Sequence, residues 1–160
     1  MVGTMKHSAF TLIEMLIVVS MIVIIATISI PMFLRSRLSA EESAAIATLR
    51  TIHISQEQAL NQNNFPNIVT KTAMYPTLSQ LGTLAPAPLP EELTNFPNIK
   101  NGYQYSINID AQTQSNPTFF ALALNASPSG KGRNFYIAPE GVIRYTIDGS
   151  TPTSASLPIN

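Results

Sequence analysis

From Met15 to Leu34 the chain runs 20 residues without a charge. At about 1.5 Å per residue, a helix of that length covers about 30 Å, the hydrocarbon thickness of a bilayer. A buried helix of a soluble protein rarely runs so far without a polar face. The wider stretch 10–34 (FTLIEMLIVVSMIVIIATISIPMFL) holds one charged side chain, Glu14. The remainder is unlike it, since eleven of the twelve prolines lie at or beyond Pro66. The pattern is a membrane segment joined to a polar, turn-rich head, within the 160 residues that suit one domain and an appended segment. The competing reading is a secretory signal peptide, with Thr27 and Ser29 marking a cleavage site before Ile30. The order of features opposes it. The small pair Ser8-Ala9 precedes the apolar run, beside Lys6 and His7, and a cut there leaves the membrane helix on the protein.

Composition narrows the function classes. Nine Lys and Arg balance nine Asp and Glu, which is not the profile of a strongly basic nucleic-acid binder. With no Cys there is no disulfide, thiolate metal site or Cys nucleophile. Cleavage after Ala9 leaves one histidine, His53, on a helix face expected to pack on a sheet, and the carboxylates are scattered, so a zinc site has no ligand set. Nothing resembles a nucleophile elbow. Ser129-Gly130-Lys131-Gly132-Arg133 has the flavour of a phosphate loop but lacks Ser or Thr after the Lys and joins two strands, so it reads as a turn. Lys131 and Arg133 offer at most weak contact to DNA. Residues 63–160 carry five basic and five acidic groups, which implies no patch. The expectation is a non-enzymatic chain with no cofactor and no metal.

Glu14 is the exception within the apolar run. A carboxylate at the bilayer centre costs about 2–3 kcal/mol. At the edge of the run it sits in the interface, near a helix N-terminus whose dipole favours an anion. It is also placed to meet a cation inside the membrane. A cut after Ala9 creates an α-amino group on Phe10, one helical turn away, that can be offered to a neighbouring copy.

Ser8-Ala9-Phe10-Thr11-Leu12-Ile13-Glu14 followed by a long apolar run resembles the processing and methylation motif of type IV prepilins and the related pseudopilins. The resemblance implies that a membrane prepilin peptidase removes residues 1–9 as a leader on the cytoplasmic side, between Ala9 and Phe10. The same enzyme would methylate Phe10, and Glu14 would be the assembly glutamate. Pro31 matches the family's helix-softening proline. Two features depart from the pattern: Ala9 stands where the family usually has Gly, and a start at Met5 would give a five-residue leader. Lys6 on one flank faces Arg35 and Arg37 on the other, so positive-inside counting does not orient the segment, and the orientation comes from the resemblance.

The expected fold is α+β and pilin-like, a long N-terminal helix, half transmembrane, packed on a small antiparallel sheet. Residues 10–34 are the membrane and filament-core part of the helix and 35–62 its amphipathic half. Leu38, Ala45, Ile46, Leu49, Ile52, His53 and Leu60 share the face expected on the sheet. Ser36, Ala40, Ala44 and Thr48 form a small-residue stripe, read equally as a helix–helix contact or as ordinary helix propensity. Pro31 removes a donor and is expected to kink or locally melt the helix. Asn61–Asn64 end it. Residues 63–101 are a Pro-rich connecting loop in which Thr77–Leu84 carry one short helical turn and Pro86–Pro90 form a stiff loop. Residues 102–160 are the sheet head and a polar tail, with strands over 103–109, 118–124, 133–138 and 141–147 and a tight turn at Pro139-Glu140-Gly141.

The resemblance implies a structural subunit of a type IV pilus. It would be single-pass in the inner membrane before assembly and part of an extracellular filament afterwards, serving adhesion, motility or DNA uptake. Its partners would be other copies of itself, the peptidase, the assembly machine of the inner membrane, and lipid. The alternatives are a pseudopilin of type II secretion and, from another class, a singly anchored periplasmic binding protein. No acidic calcium loop surrounds Asp110 or Asp148, which favours pilin over pseudopilin.

Overall fold

A computed structural model describes residues 10–62, 75–84, 89–110, 118–126 and 132–159. Ala9 and the rest of the leader, Asn63-Asn64, residues 86–88 and Ser129–Lys131 lie outside the described residues. The chain divides after Leu38 into two units. Helix α1 (Leu12–Asn61) supplies all described helix of the first unit and opens the second.

In the first unit almost every apolar side chain of α1 is exposed, from Leu12 to Leu34. Pro31 lies inside the helix with helical residues on both sides, so the helix is not melted there in the single subunit. Proline still offers no N–H to the carbonyl of Thr27, one turn earlier.

The second unit is a helix on a six-stranded antiparallel meander. Its elements are α2 (Leu78–Gly82), α3 (Glu91–Thr94), β1 (Ile99–Lys100), β2 (Tyr103–Asp110), β3 (Thr118–Asn125), β4 (Asn134–Ile137), β5 (Arg144–Thr146) and β6 (Leu157–Pro158), with the strands side by side in chain order. Strand pairing is longest between β2 and β3, which match residue for residue from Tyr103↔Asn125 to Asp110↔Thr118. Period two then puts Tyr103 and Tyr105 on one face with Ala121, Ala123 and Phe135, and against these pack Ala45, Leu49 and Ile52 of α1. This is the expected α+β arrangement of a long N-terminal apolar helix and a small antiparallel sheet.

Several details depart from expectation. The buried face of α1 is rotated toward polar residues, with Thr48, Ser55 and Gln56 buried while Leu38, Ile46, His53 and Leu60 are only partly covered. The hydroxyls explain why this is tolerable. Thr48 and Ser55 donate to the carbonyls of Ala44 and Thr51 at 2.8 Å each, and Gln56 Nε2 donates to Pro76 O at 2.6 Å. On β3 the alternating Phe120, Leu122 and Leu124 face away from α1 and join Tyr136 and Ala138 in a second, smaller cluster. The expected connector contains α3 and β1, and β1 turns into β2 through Asn101-Gly102, both at positive φ (50° and 77°), as a two-residue hairpin requires. The polar tail is not loose. Strand β6 pairs with β5 through Leu157↔Tyr145, Arg144 Nη1 donates to Ser156 O at 3.1 Å, and Ile159 N donates to Ile143 O at 2.8 Å. Gly141, at φ 74°, makes the β4–β5 turn, and its N–H donates to Ala138 O at 2.9 Å.

Candidate functional site

The site that sequence singles out is the start of α1. Thr11 Oγ1 accepts from the Glu14 backbone N–H at 3.3 Å, and Thr11 O accepts from Met15 N–H at 3.3 Å. Thr11 is therefore the N-cap, and Glu14 stands at the third helical position, where the exposed N–H groups and the helix dipole favour its charge. The Thr-x-x-Glu spacing is the sequence signal for this cap. Phe10 and Glu14 are both exposed. The cap explains how a carboxylate is accommodated at the mouth of an apolar helix.

Along the helix, two hydroxyls of the apolar stretch are internally satisfied. Ser20 Oγ donates to Leu16 O and Thr27 Oγ1 to Val23 O, each at 2.7 Å. In a medium without water an unpaired hydroxyl costs on the order of several kcal/mol, so these back-bonds suit the segment to lipid or to the dry interior of a helix bundle. Among the described residues α1 is the one helix long and apolar enough to cross a membrane. Its most apolar window is wholly unburied, unlike the core helix of a soluble protein. A single-pass membrane anchor is weakly compatible with this, by length and composition.

His53 is partly buried; its Nε2 donates to Pro139 O at 3.1 Å and its ring lies 5.9 Å from Phe119, a packing position. Among the described residues no three His, Asp or Glu side chains are grouped to hold a metal.

What the head does contain is a clamp that sequence did not reveal. Glu42 on α1 accepts from Arg133 three times, from the backbone N–H at 3.1 Å, from Nε at 3.0 Å and from Nη2 at 2.7 Å. The guanidinium also lies over the rings of Phe135 and Tyr145, 5.7 and 5.1 Å from their centroids. Donating to the Glu42 carboxylate holds the Arg133 guanidinium above its ordinary pKa. Arg133, expected as a weak DNA contact, is thus already bound to a carboxylate, and phosphate would have to displace it. Tyr75 hydrogen-bonds Glu57 at 2.9 Å, and burial, with that carboxylate, pushes its hydroxyl up to about 12. Burial likewise raises Tyr103, Tyr105 and Tyr136. These groups stay neutral or paired near pH 7 and serve packing.

No family model, no curated protein and no solved structure matches this chain.

Proposed function

We propose that this chain is the structural subunit of a type IV pilus, cut after Ala9 by a prepilin peptidase, methylated on Phe10, and polymerised through α1 into a surface filament. The observation that carries the reading is the division of labour along one helix. Leu12–Leu34 bares its apolar side chains on all sides, while from Ala45 to Ala59 one face of the helix is buried in the head. A helix bare all round needs lipid or other helices around it. Exchange of lipid for neighbouring helices, when the assembly machine of the inner membrane extrudes the subunit, keeps those side chains dry and the back-bonded hydroxyls satisfied.

Glu14 sets the register in this scheme. An unpaired charge in a dry core costs several kcal/mol, so the carboxylate has to meet a cation or take up a proton there. The amine of a processed Phe10 on an axially offset neighbour supplies that cation, and pairing is then satisfied at one stagger. Shearing cells that express the chain and imaging the released fraction tests the reading. Thin filaments containing this chain are the expected result; recovery of the whole population as single subunits in the membrane fraction would leave the anchored binding protein as the better account.

A further inference from the structure

The sheet of the head ends in two small apolar patches that its own core does not use. At the β1 edge, Phe96 is 89% exposed and Ile99 45% exposed. At the β6 edge, Ile147 is 76% exposed and Leu157 65% exposed. The six strands lie in chain order, so these patches occupy opposite edges of one sheet. Their strand residues, Ile99 and Leu157, also lie on opposite faces. Ile99 pairs with Gln104, one residue out of phase with the core-facing Tyr103 and Tyr105, and so stands on the face away from α1. Leu157 pairs with Tyr145, which packs on the core, and so stands on the α1 side.

We infer that the heads of successive copies overlap like shingles, the Phe96–Ile99 patch of one resting on the Ile147–Leu157 patch of the next. Three features select a second copy as the occupant. The patches differ from one another and sit on opposite edges, so joining them is a heterologous contact of the kind that repeats along a filament, whereas a two-fold dimer joins a patch to itself. Each patch offers on the order of 250 Å², against about 800 Å² per partner in a stable complex, so neither can retain a free partner from solution. Copies already gathered by α1 need far less, because the second contact is then intramolecular in effect. The edges themselves are poor templates for strand addition, since β1 and β6 are two residues each and β6 carries Pro158. The contact is therefore made by side chains. This inference rests on the filament reading and adds to it a specific surface.

The chain has no cysteine, which makes the test direct. Full-length Phe96→Cys, Leu157→Cys and the double variant are assembled, sheared, oxidised and run without reductant. The double variant should give a ladder of covalent multimers, each single variant should stay monomeric, and co-assembly of the two single variants should stop at dimers. Pairing Leu157→Cys with Ile54→Cys, an exposed site on α1 outside either patch, should give no ladder. Dimers from Phe96→Cys alone would replace the inference with a two-fold contact. Filaments of normal yield without a ladder would overturn it and leave the pilus reading standing, whereas absence of wild-type filaments would overturn both. Should the double variant fail to assemble, Phe96→Ser decides, because this exposed ring contributes nothing to the core. The inference requires its sheared-filament yield to fall at least fivefold at equal subunit level, and an unchanged yield refutes it.

Discussion

Replacing Arg133 by Met probes what holds the sheet to α1. The Glu42 side chain is only 12% exposed, while that of Arg133 is 37% exposed. Arg133→Met keeps the length of the stem but strips Glu42 of two charged donors, leaving the carboxylate with the backbone N–H of residue 133. Charge-assisted hydrogen bonds contribute about 1.5–3 kcal/mol each way of counting, and stranding a buried charge costs about 3–5 kcal/mol. Because one partner is more than a third exposed, the lower part of that range applies, about 3 kcal/mol. The reciprocal change Glu42→Gln frees a guanidinium that reaches water and keeps its place over Phe135 and Tyr145, and should cost about 1.5 kcal/mol. The asymmetry is the substance of the prediction. Chemical denaturation of the full chain in detergent micelles, followed by near-UV circular dichroism of its tyrosines, measures both. The unfolding constant should rise about 100-fold for Arg133→Met and about 10-fold for Glu42→Gln. A loss under 0.5 kcal/mol for Arg133→Met, or a larger loss for Glu42→Gln, would refute the reasoning.

The Tyr75 hydroxyl should ionise near pH 12, and Glu57→Gln should lower that value without returning it to 10, because burial is its larger cause; the ring resonances followed from pH 8 to 13 report this. Its folded pKa is raised, so the stability it adds is fully present below about pH 10 and is lost as pH climbs through about 12. A chain ending at Ala155 loses β6, the acceptor for Arg144 and the Ile159–Ile143 bond, and should be about 3 kcal/mol less stable by the same denaturation assay. Glu14→Gln keeps the shape at the third helical position and removes the charge, so head folding and membrane insertion should be unchanged while sheared-filament yield falls to little or nothing. Equal yields at equal subunit levels would make Glu14 a tolerated interfacial residue.

Long elements were legible because their periods repeat often enough to be read. The apolar run announced the exposed apolar half of α1, and Tyr103, Tyr105, Ile107 and Ile109 announced β2. Strands β1 and β6 have two residues each, too few for any period, although Asn101-Gly102 was a hairpin signal that could have given β1. The buried face of α1 holds the expected Ala45, Leu49 and Ile52 but also Thr48, Ser55 and Gln56, which look polar in sequence. Their burial depends on acceptors at Ala44, Thr51 and Pro76, and the last of these only tertiary structure supplies. The Glu42–Arg133 clamp joins residues 91 apart, a pairing no local pattern encodes. At the start of α1 the opposite holds: Thr11 and Glu14 are three residues apart, and their capping contact is a local pattern that spacing displays.

The most direct measurement is the intact mass and N-terminal sequence of the subunit recovered from sheared filaments. The account predicts a chain that begins at Phe10 and carries one additional methyl group on its amine. A chain that keeps the residues before Phe10, or one that begins at Ile30, would contradict it.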